Sequence, residues 1–205
     1  MKTLFVAIGT VPMVLSQTLD EEMRSPFYRA KKKNIFVACE GKSEQGYVAL
    51  LNELAKEQNP PLSVVLRPFC LGGGGPSSMV KEAINKARKE SYKEKVILID
   101  DDVCSANPDE CQKAEEKAEE NGFSIIWQKP NHEGFLLMHL LNEQEYPSLT
   151  ANNVQAMLQR EWPEYEKPQT KDDLRRRIGS KEVERAARRI PQLKKLLQMM
   201  GWSLR

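Results

Sequence analysis

Asp100, Asp101 and Asp102 stand together directly after the unbroken aliphatic run Val96-Ile97-Leu98-Ile99. A short apolar run of this kind reads as a strand buried on both faces. In extended chain the side chains alternate, so Asp100 and Asp102 are expected on one side and Asp101 on the other. Two carboxylates at a strand end suit a hard cation such as Mg²⁺. Open α/β sheets place their ligands just outside the carboxyl ends of such strands. A second stretch, Gln128 to Leu140, places polar residues at the end of another apolar run and before an apolar helix. Within it Glu133 and His139 are six residues apart, about 600° of helical rotation, so they do not share a helix face. Both reach one site only if Glu133 precedes the regular helix.

The elements that would carry these groups alternate along the chain. Asn34 to Cys39 reads as the first strand and ends at Glu40-Gly41. Ser43 is the expected N-cap of a helix to about Gln58, with Glu44 in its first turn. A P-loop is rejected, because Gly41-Lys42-Ser43 would need glycine where Phe36 stands. Leu62 to Leu66 is a second strand. The run Gly72 to Gly75 precedes a helix and could bring backbone amides to a phosphate or be a plain connector. Asn107 to Gly122 reads as an acidic helix and Phe123 to Trp127 as a strand. Alternating strands and helices imply α/β architecture with a mostly parallel central sheet flanked by helices. Beyond Tyr146-Pro147 the pattern becomes helical. Thr170 to Asp173 is a capping box, and Pro191 predicts a kink or a second helix. The expected organisation is an N-terminal extension (1–33), an α/β domain (34–146) and a basic helical C-terminal region (147–205) packing on it.

The chain has 205 residues, 40% hydrophobic and 29% charged, as expected of a soluble globular protein. Its net charge of +2 is uneven, with residues 171–205 carrying +7 and the remainder −5. A basic end suits a polyanion, although a solvated helix face gives the same count. The four cysteines form no C-x-x-C pair, and reduced thiols in a cytoplasmic protein are expected. Leu4 to Leu15 has the outline of a signal peptide but is interrupted by Gly9, Thr10 and Pro12. It is too short to cross a membrane.

Glu40-Gly41 after one strand and Asp100-x-Asp102 after a later one resemble the Toprim domain of primases, topoisomerases and OLD-type nucleases. The order of motifs is more closely similar to the RloB-like family, linked to bacterial restriction and phage-defence loci. The matching stretches are Val37 to Tyr47, Ile99 to Asp102 and Lys129 to His139. The family usually has Thr at Ser43, Phe at His132 and Trp at Phe135, while Glu133 and His139 are retained. The likeness spans about Asn34 to Leu140. It implies a Toprim-like fold with a C-terminal helical appendage and Mg²⁺- or Mn²⁺-dependent phosphodiester chemistry. Asp100 and Asp102 would hold the metal, with Glu40 a further ligand or general acid/base. Glu133 would add a ligand. His139 would act as proton donor or phosphate contact, or pack in the helix. Lys42, Lys129, Arg175, Arg176 and Arg177 would meet nucleic-acid phosphates.

The resulting expectation is a metal-dependent nuclease acting on DNA or RNA, serving phage defence. The alternatives are a non-catalytic Toprim-like module binding nucleic acid or a partner ATPase, and a hydrolase of small phosphates. The chain has no ATPase motif, so an energy-driven function would need a separate ATPase subunit. A homo-oligomer is compatible with all three readings.

Overall fold

The structure, a computed structural model, describes residues 32–142 and 149–204. Residues 1–31 of the expected N-terminal extension and the Tyr146-Pro147 boundary lie outside them.

Four strands form one parallel sheet: β1 (Lys33–Cys39), β2 (Val64–Cys70), β3 (Glu94–Asp100) and β4 (Phe123–Gln128), in the order β2-β1-β3-β4. The apolar runs of β1 and β3 are continuous because both faces are covered. Ile35, Val37 and Cys39 enter one hydrophobic cluster, while Phe36 and Ala38 enter the other. The first cluster holds α1 (Lys42–Glu57) through Tyr47, Val48, Leu50, Leu51 and Leu54. The second holds α2 (Pro76–Ala87) and α3 (Pro108–Glu120). Winding runs from β1 to β2 and then reverses to β3 and β4. Crossovers of one hand running in opposite directions put their helices on opposite faces, and this chain does so.

The C-terminal helices are α4 (His132–Leu140), α5 (Val154–Glu161), α6 (Lys171–Arg175), α7 (Ser180–Arg189) and α8 (Pro191–Met200). They share the first cluster through residues such as Phe135, Leu158, Leu174, Val183 and Leu197. Pro191 opens a second helix, as its missing N–H permits at a first helical position. The Thr170 capping box is present: Thr170 accepts from the Asp173 backbone N–H, and Asp173 accepts from that of Thr170. This helix-flanked parallel sheet with appended helices is consistent with a Toprim-like layout.

Two local expectations need correction. The α1 N-cap is Gly41, not Ser43; the Glu44 side chain accepts from the Gly41 N–H at 2.9 Å. Ser43 instead accepts from the Gln169 backbone N–H at 3.3 Å, which ties α1 to residues far along the chain. Cys104 and Cys111 form a disulfide across the turn after β3, whereas reduced thiols were expected throughout. Cys39 and Cys70 are free.

Gly46 lies where the 169–170 backbone crosses α1. A Cβ there would sit 2.2 Å from the Gln169 carbonyl oxygen. Backbone cannot yield as a side-chain tip does, so Gly46→Ala is expected to destabilise the fold by about 1–3 kcal/mol. Chemical denaturation measures it; an unchanged midpoint would show that this crossing is not tight.

Candidate active site

The winding reverses between β1 and β3, and this is where open α/β sheets bind their ligands. Parallel pairing aligns Cys39 with Leu98, so Glu40 comes one residue and Asp100 two residues past the last pair, at the same edge of the sheet. Glu40 Oε2 accepts from the Asp100 backbone N–H at 3.2 Å. The glycine loop after β2 serves the same corner. The N–H groups of Gly72 and Gly73 both donate to the Glu40 carbonyl at 3.1 Å, using positive φ at each glycine. Those two amides therefore fix Glu40 and do not face a free phosphate.

The carboxylates repel one another. Burial pushes the Asp100 carboxyl up to about 8, and Glu40, Glu44, Asp102 and Glu133 add to the rise. Burial also raises Glu40, partly offset by its bond to the Asp100 N–H. Asp100 Oδ1 is buried without a hydrogen-bond partner. So is Oε1 of Gln128, the cross-strand partner of Asp100. Two unpaired acceptors beside a set of carboxylates are an uncompensated arrangement, and a cation relieves it.

Glu133 faces this group from the first turn of α4, inside the regular helix and not before it. The Tyr165 hydroxyl donates to its Oε1 at 3.1 Å, and Lys167 forms an ion pair with the same oxygen. Burial alone would raise Glu133; the Lys167 ammonium outweighs it and holds the carboxyl below its usual value. Glu44, 5% exposed, stands 3.4 Å from His132 Nδ1. Gln128 Nε2 lies 2.8 Å from that same ring nitrogen.

Other sequence expectations change. β3 ends at Asp100, because the Asp101 N–H turns to the carbonyls of Gln128 and Pro130. Two-residue alternation therefore stops there, and Asp102 sits exposed in the following turn, although its charge still acts on Glu40 and Asp100. His139 is not at the site. It is fully buried, with Nε2 2.8 Å from the Tyr47 hydroxyl and Nδ1 2.9 Å from the Phe135 carbonyl oxygen. Its role is packing, on the face of α4 away from Glu133.

The basic residues divide. Lys42 is exposed at the start of α1. Lys129 is exposed and pairs loosely with Asp101 at 3.8 Å. Arg175 turns inward to Glu53 and Glu57. Such half-exposed pairs contribute about 0–1 kcal/mol, so the buried Leu174 does more to dock α6. Arg177 donates to the Glu161 carbonyl, and Arg176 remains exposed.

Among the described residues no three His, Cys, Asp or Glu side chains form a ready-made metal cage. Mg²⁺ does not require one, since it commonly binds one or two carboxylates and completes its shell with water and phosphate. The buried, partnerless Asp100 Oδ1 fits that role, with Glu40 beside it. Tyr165 and Lys167 were missed by sequence reasoning. No local pattern marks them, and the chain must fold back for them to meet Glu133.

Two pH dependences follow. The Asp100 carboxyl is raised, so its contribution to stability is complete below its ordinary 3.8 and lost as pH rises through about 8. In metal-free buffer Asp100→Asn is expected to melt several degrees higher than the parent above that pH; a lower melting temperature would contradict carboxylate crowding. His139 is lowered by burial from 6.5 to about 4, so its contribution is complete above 6.5 and lost as pH falls to about 4. His139→Gln is expected to flatten the acid side of a thermal-melt series across that window. An unchanged acid slope would place the titration elsewhere.

No curated protein and no solved structure matches the chain. The family model described as RloB-like protein matches residues 35–200, from β1 to the last residue of α8. The C-terminal helices, which the motif likeness left unexplained, thus fall within the matched span. A match this long, over the sheet, the acidic corner and the helices that close it, shows that the chain belongs to the RloB-like family.

Proposed function

We propose that this chain is a metal-dependent nuclease, hydrolysing phosphodiester bonds of DNA or RNA, with a role in phage defence. The reading rests on one observation above all: a buried Asp100 oxygen without a partner, in a group of carboxylates where the sheet reverses its winding. Asp100 and Glu40 would hold Mg²⁺ or Mn²⁺, with Asp102 reaching it from the exposed turn directly or through water. A bound divalent ion supplies neutralisation of a phosphate oxygen and a more acidic water. Glu40, raised by burial, is better suited than an ordinary carboxylate to take or return a proton. Lys167 and Tyr165 hold Glu133 in its ionised form and keep its carboxylate oriented.

A second reading has its own support. The exposed Lys42, Lys129 and Arg176 would equally serve a non-catalytic module that binds nucleic acid or a partner ATPase. No helix among the described residues is long and apolar enough to cross a membrane.

The experiment is cleavage of a panel of DNA and RNA substrates in Mg²⁺ and in Mn²⁺. Asp100→Ala and Glu40→Gln are each expected to lower the rate at least roughly 100-fold, beyond the loss typical of residues that only support a ligand. Cleavage that survives Asp100→Ala together with Asp102→Ala would end the nuclease reading. Binding without cleavage, and no thermal stabilisation by either ion, would favour the module.

A further inference from the structure

We propose that the cavity between residues 162–169 and the end of α6 seats one unpaired nucleotide of the nucleic-acid strand, so that the substrate is single-stranded where it meets the protein. The proposal takes its orientation from the nuclease reading, but the binding it describes does not depend on cleavage.

The cavity has a volume of about 460 Å³. That is near the lower end of small-ligand pockets, about 300–1,000 Å³, with room for one nucleotide and not for a base pair. Its wall combines the chemistries a nucleotide presents. Trp162, 5% exposed, brings the edge of an apolar ring to the wall. Arg176 lines the cavity with its side chain 77% exposed and, among the described residues, only Asp173, 3.8 Å away, as an ion-pair partner. A guanidinium so placed is a fork for one phosphate.

Gln169 is 4% exposed, yet its Oε1 has no hydrogen-bond partner, while its Nε2 donates to the Glu166 carbonyl. Gln169 lines the cavity, and this buried oxygen is an acceptor that rotation of the side-chain amide would present to it; the exocyclic amines of adenine, cytosine and guanine are donors. Glu164 and Glu166 also line the cavity and disfavour a second or third phosphate. The charge pattern therefore suits a strand's single phosphate better than a free nucleoside triphosphate.

Lys167 links this cavity to the acidic corner. It lines the cavity and pairs with Glu133, which acts electrostatically on Asp100. A nucleotide seated here would have its neighbouring phosphodiester beside the carboxylates. A base held in a duplex stack cannot enter such a pocket without being extruded.

The test uses the full chain in EDTA, so that binding is read without turnover. Fluorescence anisotropy compares a short single strand, the same sequence as a blunt duplex, and a free mononucleotide. The single strand is expected to bind at least roughly tenfold more tightly than the duplex or the mononucleotide, in line with base stacking in single-strand grooves. Arg176→Ala and Arg176→Glu, at an exposed position, are expected to weaken strand binding progressively without lowering the melting temperature. A strand carrying a photoreactive halogenated pyrimidine is expected to cross-link to Trp162. Equal affinity for duplex and strand, equal affinity for the mononucleotide, binding indifferent to Arg176→Glu, or a cross-link mapped elsewhere would each overturn the proposal. Strand binding at this cavity with no cleavage in Mg²⁺ or Mn²⁺ would sink the nuclease reading and uphold the pocket. Cleavage of blunt duplex without strand preference would do the reverse.

Discussion

Parallel pairing of β1 with β3 is the constraint on which this structure depends. It joins strands about sixty residues apart in the chain and lies where the sheet changes its direction of winding. Because the register pairs Cys39 with Leu98, Glu40 and Asp100 follow within two residues, and both strands deliver a carboxylate to one edge. Neither Glu40 nor Asp100 is stable there by itself: both are pushed toward protonation by burial and by neighbouring charge. The fold tolerates this because two hydrophobic clusters, one on each face of the sheet, supply far more favourable burial than one crowded corner takes away.

The C-terminal helices complete that corner as well as extending the core. Gln169 and Thr170 cross α1 at Gly46, and Gln169 donates its backbone N–H to Ser43 in the first turn of α1. That crossing brings Tyr165 and Lys167 over Glu133. One side of the acidic corner is thus crowded carboxylate, while the other is paired with a phenol and an ammonium. This asymmetry gives neighbouring carboxyls opposite tendencies, Asp100 upward and Glu133 downward. Sites that perform acid–base work separate their groups in this way. The Cys104–Cys111 disulfide closes the turn that follows Asp100 to Asp102, so the acidic strand end is bounded by a cross-link as well as by hydrogen bonds.

Much of the frame was legible from residue order. Aliphatic runs at 35–39 and 96–99 gave buried strands, the Thr170 box gave a helix start, and Pro191 gave a helix boundary. These signals are local, set by side-chain sterics and by the orphan amides of a helix end. Misreadings arose where a distant partner decides. Ser43 looked like a cap, but the long Glu44 side chain reached the Gly41 amide first and left the hydroxyl for residue 169. Asp102 looked paired with Asp100 until the Asp101 amide found acceptors on the β4 side and ended the strand.

What the sequence determined by itself was the alternation of strand and helix and the arrival of Glu40 and Asp100 at strand ends. Periodicity and apolar run length are properties of neighbouring residues, and they survive without knowledge of the rest of the chain. Tertiary structure alone decided which polar groups became partners. It sent His139 into the core against Tyr47, brought Lys167 to Glu133 across more than thirty residues, and left Asp100 Oδ1 without a donor. Pairing of charges and hydrogen bonds depends on distance in space and on exclusion of water, and neither quantity exists until the sheet and its covering helices have closed.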